Sequence, residues 1–255
     1  MEFECIIYEK QEHVAVVKLN RPNVLNAMNK QLWLDFQASL EDVKQDSNIK
    51  VLIITGKGRA FSTGADLKES KTRSFKDYRD YLEELQEASR KLIRFEKPTI
   101  AAINGYALGS GYELALACDI RIAADEALIG SPEAKVTSSV TGGAMRLIQE
   151  LIGPGKAREL LFTAEYITGK EAERIGLVNH SVPLDRLMDN AMEMAKKIAQ
   201  NSAFSIKMIK KGLLMANTGV SYDELMAYEV EACLDCVSTK ERQASLKDFE
   251  DRKKS

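Results

Sequence analysis

Three short runs constrain this chain more than anything else in it: Val51-Leu-Ile-Ile-Thr55, Thr99-Ile-Ala-Ala-Ile103 and Ile120-Arg-Ile-Ala123. Each is the length of a strand, and each is apolar on nearly every residue rather than on alternate ones. A strand of that kind must be covered on both faces, and helices laid on a sheet are the usual cover. The flanking stretches supply them. Met28, Leu32, Phe36, Leu40 and Val43 recur at steps of three and four, which is one face of a helix, and 74–95 is helical and heavily charged. Val14-Ala-Val-Val-Lys-Leu19 reads as a further strand. Gly56 closes the first apolar run, and Pro98 leads into the second. Strands alternate with helices over the first two thirds, so the fold class is α/β.

From residue 185 the pattern becomes wholly helical, over 185–199, 203–215 and 222–237. Ser238-Thr-Lys-Glu241 has the form of a capping box opening a last helix. The expected organisation is an α/β core over 1–195 and a helical subdomain over 196–255. A chain of 255 residues with 45% apolar content is long enough for one real core. The last helices are amphipathic, with Met192, Ala195, Ile198, Ile206, Met208 and Ile209 among their apolar residues. Such faces predict a partner surface.

A formal charge of −2 argues against an electrostatic nucleic-acid binder. Lys71, Arg73, Lys76 and Arg79 are interspersed with acids, as on a solvated face. No apolar run reaches the length of a membrane span, and the start, Met1-Glu-Phe-Glu-Cys5, lacks a signal pattern. Cys233-Leu-Asp-Cys236 has redox or metal spacing. With no second such pair and no nearby histidine, no metal site is expected, and burial as small hydrophobes is the expected role. Cysteine usage of this kind fits a reducing compartment, so the expected location is cytoplasmic. His13 and His180 are not set near a glycine-flanked serine or cysteine. Acyl-enzyme chemistry with a histidine base is therefore not expected.

The chemistry concentrates at glycine turns. Asn104-Gly-Tyr-Ala-Leu-Gly-Ser-Gly-Tyr-Glu113 places an acid just after a glycine-rich turn, on a helix whose following residues Leu114-Ala-Leu-Ala-Cys118 are apolar on nearly every side. Gly130-Ser-Pro-Glu133 places a second acid on a turn. Ala60-Phe-Ser-Thr-Gly-Ala-Asp-Leu67 carries a third glycine turn. Such turns free backbone N–H groups to point at a ligand oxygen, and two carboxylates beside them are the parts needed to move a proton and steady an oxyanion.

These segments, in this order, resemble the enoyl-CoA hydratase/isomerase family, also called the crotonase family. The resemblance runs from the Asn20-Arg-Pro-Asn-Val-Leu-Asn-Ala27 loop to the Phe249-Glu-Asp-Arg252 tail. It implies a spiral of ββα units with a C-terminal helical subdomain that forms homotrimers, often paired into hexamers. It also implies an acyl-CoA thioester as substrate, with coenzyme A entering as part of that substrate and no other cofactor. The backbone N–H groups of Ala65 and Ser110 would form the oxyanion hole. Glu133 would deliver the α-proton, and Glu113 would orient and activate water. Arg21, Asn23, Val24, Leu25 and Ala27 would lie along pantetheine, with Thr63, Asp66, Leu67, Lys68 and Gly109 completing the CoA site. Tyr78, Tyr81 and Leu82 lie where the family's acyl pocket varies.

Having both acids favours hydration of a 2-enoyl-CoA to a 3-hydroxyacyl-CoA, a carbon–oxygen lyase reaction. The alternative keeps the fold but isomerises, decarboxylates or hydrolyses a different acyl-CoA. The chain departs from the family in four places. Ser110 stands where glycine is common, and Asn23 where a basic residue is common, for which Lys68 and Arg21 could compensate. The run 134–146 is one residue shorter, with Thr and Ser replacing the expected proline and glycine. The tail ends without the usual proline-aromatic-lysine.

Overall fold

The computed structural model describes residues 2–243 and 246. The tail segments 249–252 and 254–255 lie outside the described residues. The chain divides into two compact units, 1–198 and 199–255. Among the described residues no helix is long and apolar enough to cross a membrane.

Among the described residues the first unit holds ten strands: β1 (Ile6–Gln11), β2 (Val14–Leu19), β3 (Val51–Gly56), β4 (Ala60–Ser62), β5 (Thr99–Ile103), β6 (Tyr106–Leu108), β7 (Ile120–Ala124), β8 (Leu128–Gly130), β9 (Ile167–Thr168) and β10 (His180–Val182). Its helices are α1 (Lys30–Gln45), α2 (Leu67–Ser70), α3 (Phe75–Ile93), α4 (Ser110–Leu116), α5 (Ala144–Thr163), α6 (Gly169–Arg174) and α7 (Leu187–Ala199), the last ending at the unit boundary. A six-stranded sheet runs β1-β2-β3-β5-β7-β10 and a four-stranded sheet runs β4-β6-β8-β9. The expected apolar runs are β3, β5 and β7, adjacent and parallel in the larger sheet. Each is followed after a short turn by a strand of the smaller sheet and then by helix. That is a ββα unit repeated three times around the core.

β3 and β5 are buried at every residue, as continuous apolar strands must be. α1 buries Leu32, Trp33, Phe36, Leu40 and Val43 on one face, and Asn29 caps it by accepting from the Leu32 N–H. Met28 lies ahead of this helix and bridges to Ala65. α3 opens with a capping box between Ser74 and Asp77. α5 bends at Gly153, whose φ of 75° stands just before Pro154.

The loop before α1 is pinned by a buried asparagine. Asn26 Oδ1 accepts from the Arg21 N–H, and its Nδ2 donates to the carbonyls of Lys57 and Ala60. Its backbone sits at φ 57°, which asparagine tolerates better than most residues. Asn26→Ala removes three hydrogen bonds, one of them fully buried. It is expected to lower unfolding stability by about 2–4 kcal/mol, read by urea denaturation. An unchanged midpoint would show that the loop holds without it.

In the second unit, α8 (Ala203–Ala216) and α9 (Tyr222–Val237) pack together, with Tyr228 donating to the Met208 carbonyl at 2.8 Å. The capping box expected at Ser238 is one residue off. Ser238 terminates α9, with its N–H donating to Leu234 and its hydroxyl to Asp235. Thr239 is the residue that accepts from the Arg242 N–H. Ser238 still has helical backbone angles, φ −70° and ψ −12°, as the end of α9, whereas an N-cap is typically extended. The expectation that both cysteines of the pair are buried is also corrected. Cys233 is exposed and Cys236 half-buried, because the amphipathic face carrying them is uncovered in the single chain.

Candidate active site

β4, β6 and β8 lie side by side and parallel, so the residues that follow them converge at one edge of the smaller sheet. Those residues are 63–66, 109–113 and 131–133. Open sheets place ligands at the carboxyl ends of parallel strands for the same reason.

Glu113 is the fourth residue of α4 and is 2% exposed. Its Oε1 accepts from the Thr141 N–H at 2.5 Å and its Oε2 from the Thr141 hydroxyl at 2.6 Å. Burial pushes its carboxyl above the ordinary range, against the pull of the two Thr141 donors, and the negative charge of Glu133 adds to the rise. Glu133 opens a 3-10 turn (Glu133–Val136), is half-buried, and accepts a hydrogen bond from the Ser131 hydroxyl. Its Oε1 lies over Gly109, where a Cβ would come within 2.9 Å. With φ at 53°, that position takes glycine for both space and conformation.

Two backbone donors stand at the same edge. Ala65 passes its bridge to Met28 through the Gly64 carbonyl and the Asp66 N–H, so its own N–H is not used there. Ser110 is the first residue of α4, so its N–H has no acceptor within the helix. The two are brought together at Gly64, where a Cβ would lie 3.0 Å from the Ser110 nitrogen. The Ser110 side chain faces Tyr81, which is buried at 6% exposure beneath the Arg73 guanidinium. Burial pushes the Tyr81 phenol up, while Arg73, Trp33 and Ser110 pull the other way. Even so, neither Trp33 nor Ser110 closes a well-aligned hydrogen bond with the phenol, and the Trp33 Nε1 is also unpartnered. Tyr78 stays 38% exposed and Leu82 is half-buried against the core.

The remaining expected residues fall on two zipped segments. Thr63 donates from its N–H to Leu25 at 3.1 Å, and Met28 donates to Gly64 at 2.7 Å. Val24, Leu25, Ala27 and Thr63 are half-buried along this seam, while Asn23, Leu67 and Lys68 are exposed. Arg21 does not stand free to compensate at a phosphate as expected. Its Nη1 donates to the Ala27 carbonyl and to Asp66 Oδ2 at 2.8 Å. Asp66 caps α2 by accepting from the Lys68 N–H, so both side chains belong to the fold. Burial works against it, but Arg21 and Lys68 hold the Asp66 carboxyl below its ordinary value. Thr141, Ser131 and Gln86 were not singled out from sequence. The only available signal was that Thr141 lies in the divergent run just before a glycine pair.

No group of three or more potential metal ligands occurs among the described residues. The sequence model of the enoyl-CoA hydratase/isomerase family matches residues 9–255. This chain belongs to that family. It is 37% identical to the short-chain-enoyl-CoA hydratase of Clostridium acetobutylicum, over 100% of this chain and 97% of that one. It is 36% identical to the crotonyl-CoA hydratase of Syntrophomonas wolfei, over 100% and 98%. A crystal structure of the enoyl-CoA hydratase from Bacillus anthracis superposes with a TM-score of 0.94 at 33% identity, covering 98% of this chain and 97% of that one. The ββα spiral described above is thus the crotonase fold, and the divergent run 134–146 is accommodated within it.

Proposed function

We propose that this protein is an enoyl-CoA hydratase, adding water across the 2,3 double bond of a 2-enoyl-CoA to give a 3-hydroxyacyl-CoA. The observation that carries the reading is the meeting of two carboxylates and two unused backbone donors at the ends of β4, β6 and β8. The thioester oxygen accepts from the N–H groups of Ala65 and Ser110, which need no rearrangement as negative charge builds on it. Glu113 accepts a proton from the attacking water as its oxygen bonds to C3. Glu133 delivers a proton to C2 of the resulting enolate, and the two acids return to their starting states by proton exchange through the product-side water. Adenine and pantetheine lie along the 63–68 and 21–27 segments through backbone contacts, with Lys68 the exposed cation. Coenzyme A enters only within the substrate, and no other cofactor takes part. Free thiols at all four cysteines support a cytoplasmic location.

The test is turnover of a panel of short, long, branched and cyclic 2-enoyl-CoA thioesters, with product analysis. Loss of the conjugated enoyl absorbance with a 3-hydroxyacyl product is expected. A shifted double bond, carbon dioxide or free coenzyme A as the sole product would instead establish the isomerase, decarboxylase or thioester hydrolase reading.

We further propose that the second unit mediates a homotrimer, paired into hexamers. Ile209, Leu213, Met226, Val230 and Leu234 are all more than half exposed in the single chain, which is more apolar surface than an isolated helical pair usually leaves to water. Sedimentation at micromolar concentration is expected to give a multiple of three times 28.4 kDa. A monomer would refute the assembly.

A further inference from the structure

Glu113 could serve as a base for water only if its carboxylate is held ionised and in one plane, and a single residue outside the two-acid set holds it. We propose that Thr141 is a positioning residue that fixes Glu113 as an oriented carboxylate; its catalytic consequence rests on the hydratase reading above. One residue supplies both donors, the N–H to Oε1 at 2.5 Å and the hydroxyl to Oε2 at 2.6 Å. Bound at both oxygens, the carboxylate cannot rotate, and each oxygen keeps a lone pair for water. Hydrogen bonds to the charged form favour it.

Thr141 is itself held from two sides. The Gly142 N–H donates to Gln86 Oε1 on α3 at 3.1 Å, and the Thr141 carbonyl accepts from the Ala144 N–H at the start of α5 at 2.9 Å. A Cβ at Gly142 would lie 2.9 Å from Ser89 Oγ and 3.4 Å from Glu113 Cβ, so the loop is in contact with both helices. The groups around Glu113 are few. α4 itself brings Tyr112, a phenol that burial keeps protonated. The 3-10 turn brings Glu133. α3 brings the neutral Gln86 and Ser89. Burial and Glu133 both favour the protonated acid, and Thr141 supplies the opposing donors. Thr141 lies in the run 134–146, where this chain departs from the pattern it otherwise resembles.

The experiment compares Thr141→Val, which keeps shape and N–H but deletes the hydroxyl, with Thr141→Ser, which keeps the donor. Full-length protein labelled with carbon-13 at the glutamate carboxyl is titrated by NMR, with the Glu113 signal assigned by its loss in Glu113→Gln. The Glu113 midpoint is expected to move to higher pH in Thr141→Val and to return toward wild type in Thr141→Ser. In hydration of crotonyl-CoA, Thr141→Val is expected to lose about 10- to 100-fold in kcat, the usual worth of a hydrogen bond to a charged group. KM should stay within about 3-fold, and the acid limb of the pH profile should move up. Thr141→Ser should recover most of the rate. A Thr141→Val titration that superimposes on wild type overturns the proposal. So does a Thr141→Ser variant that titrates like Thr141→Val while both stay folded by circular dichroism. If the titration moves as expected but wild type does not hydrate any enoyl-CoA, the hold on Glu113 stands and the hydratase reading falls.

Discussion

Glu133→Gln and Glu113→Gln are each expected to lower kcat by about 10²–10⁴-fold, the range for a positioned acid or base. Affinity for acyl-CoA should change little, because the groups proposed to bind the thioester oxygen are backbone N–H groups. The double variant should be scarcely worse than the poorer single one, since both side chains serve one water and one turnover. The local geometry lets both amides keep hydrogen bonds of the carboxylates they replace. In Glu133→Gln the amide oxygen can still accept from the Ser131 hydroxyl. In Glu113→Gln the amide oxygen can accept from the Thr141 N–H while the NH₂ donates to the Thr141 hydroxyl oxygen, once that hydroxyl turns. Glu113→Gln is therefore expected to leave the 141–142 loop in place, visible as unchanged amide-exchange protection, so that a loss of rate reports on the chemistry. The measurement is steady-state hydration of crotonyl-CoA on folded variants. A Glu113→Gln variant with undiminished hydration would remove the two-acid mechanism and favour the isomerase reading.

The second large effect belongs to Ser110. Ser110→Pro should cost at least about 10²-fold in kcat, the usual loss for one oxyanion donor, whereas Ser110→Ala and Ser110→Gly should keep most activity. The structure makes this a clean test. Ser110 is the first residue of α4, where proline is well tolerated because that N–H has no helical partner. The residue before it is Gly109, which is free of the Cβ that proline would crowd. The Ser110 side chain lies near the Tyr81 phenol without closing a hydrogen bond to it, so Ser110→Ala should remove little and leaves the backbone donor in place. Circular dichroism and sedimentation check folding. If Ser110→Ala were as inactive as Ser110→Pro with both folded, the hydroxyl would be the working group and the backbone assignment would be wrong.

Much of this was legible in the sequence. β3, β5 and β7 announced themselves because a strand covered on both faces has no polar alternation to hide it. α1 showed through its apolar periodicity, α3 through a long charged helical stretch, and α8 and α9 through their helical pattern. α5 did not, because Gly153-Pro154 breaks its pattern where the helix bends. The cap of the last helix slipped from Ser238 to Thr239, since Ser238 still has the helical backbone angles that end α9.

The sequence by itself determined the class of the fold, the glycine turns and the two acids, because periodicity and turn chemistry are local properties of the chain. Only the tertiary structure decided what those parts meet. Ala65 and Ser110 are 45 positions apart and become neighbours through the parallel pairing of β4 with β6. The same long-range folding ties Arg21 to Asp66, withdrawing from ligand binding a cation that sequence had offered for it. It turns Tyr81 inward and leaves Cys233 outside, because the rotation of a helix about its axis is set by what packs against it. It also carries Thr141 onto Glu113 from 28 residues away. A threonine in a loop has no pattern of its own, and its meaning comes from the carboxylate it is folded against.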